Sequence, residues 1–102
     1  MIIKEKNVGP KIPYEVVGTK IIFDDDLMLN LAKRQDDEPV HIFICYNRTK
    51  DLVIGYEHGW RYVAEIDIPA REYQEPESED ESPVPLPLDM DEVTLTLWAI
   101  ED

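Results

Sequence analysis

Apolar and polar residues alternate along much of this chain with a period near two, the mark of strands that bury one face. The pattern is clearest in residues 60–68. There Trp60, Tyr62, Ala64, Ile66 and Ile68 fall on one side and Arg61, Glu65 and Asp67 on the other, before Pro69 ends the run. Residues 14–17 and 20–23 are short apolar runs, and the Gly18-Thr19 pair between them suits a type II′ hairpin turn. Residues 47–51 form a polar turn, 52–56 a short strand and 57–59 a tight connection.

Two segments are apolar on both sides. In residues 40–46, Val40, Ile42, Ile44 and Tyr46 oppose Phe43 and Cys45. In residues 93–100, Val93, Leu95, Leu97 and Ala99 oppose Trp98 and Ile100. Strands covered on both faces carry this pattern, so a second layer or a second subunit is expected over each face. Because sequential strands are usually neighbours, residues 92–100 are expected to pair antiparallel with 60–68. On a single-sheet monomer, Trp98 and Ile100 would form an exposed patch and a homodimer contact.

Residues 25–35 fit two patterns. As a helix, Leu27, Met28, Leu31, Ala32 and Gln35 share a side, and acids then bases complement the helix dipole. As a strand, Leu27, Leu29 and Leu31 alternate with Met28, Asn30 and Ala32. The helix is the preferred reading. The expected fold is therefore mainly β, an antiparallel sheet, small sandwich or partial barrel, with at most one short helix near 25–35. Residues 1–12 show no clear pattern.

Length and charge add one large feature. The 102 residues suit a single domain spanning 1–102. The formal net charge is −13, and it is uneven: residues 1–71 carry −2, and residues 72–102 carry −11 without one Lys or Arg. Residues 72–81 hold Glu72, Glu75, Glu77, Glu79, Asp80 and Glu81, and Pro83, Pro85 and Pro87 follow. Such a segment has little apolar surface to offset its ordering entropy. Residues 70–91 are accordingly expected to form a long, solvated, partly disordered acidic loop, with an extended polyproline-like piece at 84–88. The loop either solubilises the chain or docks a basic partner.

Candidate chemistry is sparse. His41, Cys45 and His58 are the strongest metal ligands, and residues 41 and 45 of one strand point the same way. Their spacing matches no zinc pattern, and a free cysteine in an apolar run is usually a small buried hydrophobe. A catalytic Cys45 would need an electropositive, accessible setting, whereas its neighbours are Ile44 and Tyr46. The clusters 24–26 and 36–38 lack the spacing of a calcium loop and read as solvated turns or helix N-terminal charge. No phosphate-binding or nucleophile-elbow motif is present. Tyr46, Tyr56, Trp60 and Tyr62 could build a stacking platform for a sugar or base, but alternation favours core packing.

The resulting expectation is a small, acidic, non-enzymatic binding or assembly module, of the kind that serves as a bacterial or phage accessory protein. No cofactor is called for. The expected partner is a basic protein, contacted through Glu75, Glu77, Glu79, Asp80, Glu81 and Trp98, with a homodimer as a further option. The negative charge disfavours nucleic acid or an anionic membrane as partner. No apolar run approaches the roughly 18 residues of a membrane span. The first residues lack the apolar core of a secretion signal, and one unpaired cysteine suits the cytoplasm. An alternative is an acidic inhibitor that mimics nucleic-acid charge. A third is a small metal protein or enzyme using His41, Cys45 and His58.

Overall fold

The structure is a computed structural model, and it describes residues 1–57, 59–78 and 80–100. Its strands are β1 (Ile2–Glu5), β2 (Tyr14–Val17), β3 (Lys20–Phe23), β4 (Leu27–Asn30), β5 (Val40–Tyr46), β6 (Leu52–Ile54), β7 (Arg61–Ile68), β8 (Tyr73–Gln74), β9 (Val84–Pro85) and β10 (Thr94–Leu97). One helical turn, α1 (Leu31–Arg34), follows β4, and a 3₁₀ turn, Met90–Glu92, precedes β10. The architecture is mainly β and largely antiparallel, with no closed barrel.

Five strands form the large sheet, in the order β1-β10-β7-β5-β6. β7 pairs antiparallel with β10 on one side and β5 on the other, so the expected pairing of the two strong strands is present. β1 adds to β10 in parallel, from Ile2 beside Thr94 to Glu5 beside Leu97. Residues 1–12 carry no clear pattern in the sequence, yet Ile2–Glu5 form an edge strand. The reason is the free outer edge of β10, whose backbone groups need partners.

β2, β3 and β4 make a second, three-stranded antiparallel sheet. Gly18, at φ +61, supplies the left-handed turn between β2 and β3. Asp24 and Asp25, at φ 51 and 52, turn β3 into β4, and aspartate tolerates that region better than most residues. The preferred helix over residues 25–35 is therefore wrong for its first half. β4 bonds to β3 with Leu29 beside Ile21, and only Leu31–Arg34 is helical. An isolated helix of that length is marginal in water, whereas β3 offers both a hydrogen-bond ladder and a buried face for Leu29.

The two sheets share one core. Ile12, Ile21, Phe23, Leu29 and Leu31 from the small layer meet Ile42, Ile44, Ala64, Ile66, Ile68, Val93, Leu95 and Leu97 from the large one. The register places Ile42 beside Ile66 and Leu95 beside Ile66, so these side chains share one face of the large sheet. Among the described residues the second layer, of three strands, covers that face alone. The expected double burial of 40–46 and 92–100 therefore holds at Cys45, which lies under Gly59, and not at Phe43 or Trp98, which are only half-buried.

A bulge sets the side-chain directions of β7. Ile44 lies beside Ala64, but the next residue, Cys45, lies beside Tyr62, so Val63 is the extra residue. The slip moves Tyr62 to the face opposite Ala64. The alternation that put Trp60 and Tyr62 with Ile66 and Ile68 is thereby corrected. Trp60 is 58% exposed and Tyr62 39%.

Residues 70–91 are not structureless. β8 and β9 pair as a small antiparallel arm, with Tyr73 beside Pro85 and Gln74 beside Val84. The bond from Leu86 N to Glu72 O, 2.8 Å, passes over the donor-less Pro85. Arg71 fixes the base by donating to Gln35 O at 2.7 Å and Asp37 Oδ1 at 3.3 Å, and Tyr73 Oη donates to the same carboxylate. No helix among the described residues is long and apolar enough to cross a membrane.

Candidate binding face

The uncovered face of the large sheet is made by the residues that alternate with the core. On β5 these are His41 and Phe43, and on β7 Tyr62, Glu65 and Asp67. His41 lies directly beside Asp67, and Phe43 beside Glu65. Trp98 follows β10, its N–H bonded to Val63 O at 3.0 Å. Tyr56 reaches the same face from the connection after β6.

The rings form a continuous row. Tyr56 meets Phe43 edge-on at 5.4 Å between centroids, Phe43 lies 5.4 Å from Tyr62, and Tyr62 lies 5.1 Å from Trp98. His41 packs edge-on against Phe43 at 4.7 Å. Aromatic pairs of this geometry contribute about 0.5–1.5 kcal/mol beyond their buried area. Phe43 and Trp98 are half-buried, while Tyr56 is 61% exposed.

Two carboxylates hold the row in place. Glu65 Oε2 accepts from Trp98 Nε1 at 2.7 Å, which orients the indole. Glu65 Oε1 lies 3.0 Å from His41 Nε2, and Asp67 Oδ1 meets His41 Nδ1. Partial burial by itself would lower the His41 pKa. The hydrogen bonds and charges of Asp67 and Glu65 outweigh it, and the pKa is raised. When protonated, the imidazole serves as an internal counter-ion to both acids.

A second cation touches the face. Lys6 Nζ lies 5.4 Å from the centroid of the Trp98 ring. An exposed cation–π contact of this kind is worth about 0.5–1 kcal/mol. Lys6 follows β1, where its backbone N–H donates to Leu97 O at 2.8 Å.

The sequence-based candidates separate on this frame. His41 sits on the open face, with both ring nitrogens engaged by carboxylates. Cys45 is 1% exposed. Gly59 covers it so closely that a Cβ there would sit 2.8 Å from Cys45 Cβ. Burial first, and the Glu65 charge second, push its thiol pKa up, which keeps it protonated and a poor nucleophile. His58 lies outside the described residues, as does Glu79. Among the described residues, no group of three or more His, Cys, Asp or Glu is arranged to hold a metal ion.

Glu75, Glu77, Asp80 and Glu81 are exposed between the two strands of the arm, and Trp98 is on the open face. These candidates do not form one site. Trp98 adjoins the Tyr62 end of β7, while the arm leaves β7 beyond Ile68, roughly 20 Å along the strand.

Of the aromatics grouped as a stacking platform, Tyr56 and Tyr62 share this face through Phe43, while Tyr46 and Trp60 line a different cleft. Phe43, Glu65 and Asp67 were missed as members of the face. A usable signal existed: His41 and Phe43 alternate with Ile42 and Ile44, as Glu65 and Asp67 do with Ile66 and Ile68. Tyr62 was misplaced because no local sequence feature marks the bulge at Val63.

A separate cleft of about 390 Å³ is bounded by Asp24, Asp26, Tyr46, Trp60 and Arg61. Arg61 stacks on Trp60 at 5.5 Å and donates to Ile100 O at 3.1 Å, which ties residue 100 to β7.

No protein-family model, curated protein or solved structure matches this chain.

Proposed function

We propose that this chain is a non-catalytic binding module that receives a basic protein partner on the open face of its five-stranded sheet. One observation carries the reading: the row Phe43–Tyr62–Trp98 lies partly exposed on an uncovered sheet face, with its rings held by Glu65 and His41. Aromatic side chains are enriched at interfaces because they bury large area at small entropic cost. Rings that have only a packing role are normally covered, and contiguous exposed apolar surface marks a contact site.

The charge selects the partner. At −13, the chain repels nucleic acid and attracts cationic surfaces over long range. In this reading the acidic arm steers the partner and the aromatic face holds it. The protonated thiol of Cys45 and the fully engaged ring of His41 argue for binding over nucleophilic catalysis.

Fluorescence titration tests this. In a Trp60→Phe background, Trp98 is the reporting tryptophan. Hexa-arginine peptide is expected to change its emission, whereas hexa-glutamate and a single-stranded oligonucleotide are not. A response to the oligonucleotide alone, or to none of the three, would refute the reading.

A further inference from the structure

We infer that the Trp98 indole is the seat of a guanidinium site, in which Lys6 of the same chain stands in for an arginine of the partner. The inference rests on the open-face reading and narrows it to one ring and one chemical group. Three observations support it.

The indole is already built to receive a cation. Glu65 Oε2 fixes its N–H at 2.7 Å, and Tyr62 backs it at 5.1 Å with an interplanar angle of 31°. A ring held on its edge and flank presents a fixed π-surface. Withdrawal of the indole N–H toward a carboxylate also leaves that surface electron-rich, which favours a cation over it.

The surface is occupied by a cation that can leave. Lys6 is exposed, and its ammonium reaches the ring on a flexible four-carbon stem. Its backbone bond to Leu97 O anchors the strand end and does not depend on the side chain. The side chain can swing into water while β1 stays in place.

Guanidinium is the better occupant. It is planar, less strongly hydrated than ammonium, and stacks on aromatic faces. It also donates in several directions, so one group can cover Trp98 and still donate to the Glu65 carboxylate at the ring's edge. The chain's net charge of −13 makes an arginine-bearing segment the partner that long-range attraction would deliver.

The test follows the Trp98 indole N–H by NMR during titration with hexa-arginine at about 0.15 M salt, so that binding at the arm is read separately. Lys6→Gln is expected to tighten the midpoint at this signal about two- to five-fold, the strength of the contact it removes. Lys4→Gln changes the charge equally on the same face, beside Thr96, and is expected to shift the midpoint less. Hexa-lysine is expected to bind more weakly than hexa-arginine at the same signal. Trp98→Phe, followed through the Tyr62 ring signals, keeps a ring in place and is expected to weaken binding several-fold. If Lys4→Gln and Lys6→Gln tighten binding equally, the effect is net charge and the site is overturned. If hexa-arginine moves other face signals but leaves the Trp98 indole still, the site fails and the open-face reading survives. If it moves no face signal, both fail.

Discussion

On one face of the five-stranded sheet, Ile42, Ile44, Ala64, Ile66 and Leu95 are at most 7% exposed. On the other, their chain neighbours His41, Phe43, Glu65, Thr94 and Thr96 are all partly open to solvent. The same strands build both faces, so backbone geometry does not separate them. What separates them is the second sheet, which covers one side only. The covered face is held by packing and the open face by a lattice of pairwise contacts: ring on ring, imidazole on carboxylate, indole on carboxylate. Removing one member of the first leaves a cavity. Removing one member of the second exposes groups that water can serve. The covered face should therefore dominate stability and the open face recognition.

The sharpest test is a pair of substitutions one residue apart on β7. Ile66→Ala deletes a fully buried side chain between two strands and is expected to cost about 2–5 kcal/mol in denaturant unfolding. Glu65→Gln keeps shape and an acceptor for Trp98 Nε1, and is expected to cost far less. Equal losses would mean that the open face is as structurally demanding as the core.

Cys45 is an exception on the open side, being buried beneath Gly59. Gly59→Ala would place a methyl 2.9 Å from Cys45 Sγ, and is expected to destabilise by about 1–3 kcal/mol. Cys45→Ser puts a hydroxyl in the same apolar site and should cost about 1–3 kcal/mol. The native thiol is expected to react slowly with a neutral alkylating reagent and rapidly in denaturant. Fast native labelling would show that the 55–60 connection opens readily.

How much of this was legible in the sequence depends on how local each cause is. The runs at 14–17, 20–23, 40–46 and 60–68, the Gly18 turn and the β7–β10 pairing followed from residue pattern and short-range turn chemistry. Three features did not. β1 adds to β10 from the far end of the chain, and nothing near Ile2 announces a partner more than 90 residues away. The segment 25–35 carries both periodicities, and only the presence of β3 decides between them. The bulge at Val63 reverses one side chain, and with it the reading of Tyr62 from core to surface. The candidate face was lost through that last step. Phe43 and Trp98 were visible as apolar residues opposite the core, but an apolar residue on a second face reads as burial until the layers are counted. The acidic arm was legible in charge but not in shape, because the pairing of β8 with β9 rests on two residues from each side.

Within the open face, the coupling between rings is measurable. A double-mutant cycle on Tyr62→Leu and Trp98→Leu is expected to return an interaction of about 0.5–1.5 kcal/mol. The same cycle on Tyr62→Leu and Ile68→Val joins residues on opposite faces and should return a value near zero. A large coupling across the sheet would show that the two faces do not act independently.

The smallest expected effect concerns the proton on His41. Its ring is 40% exposed and is faced by Asp67 and Glu65 from β7, with Phe43 beside it on its own strand. Its pKa in the folded chain is raised above the ordinary value of about 6.5, so the folded state holds this proton more tightly than the unfolded state. The sign follows by linkage. The stabilisation is fully present below about pH 6.5 and is lost as pH rises through the folded-state pKa. Its size is that of a solvent-screened pair, about 0.2–1 kcal/mol. Unfolding measured from pH 5 to 8 should show wild type exceeding His41→Gln by that margin at the acid end, with the gap closing as the pH rises. The covered face, which contains no buried charged residue among those described, should contribute no such slope. A gap that widens with pH, or a His41 proton titrating below its ordinary value by NMR, would mean that burial outweighs the two carboxylates. The open face would then carry an uncompensated pair of acids in place of an internally balanced one.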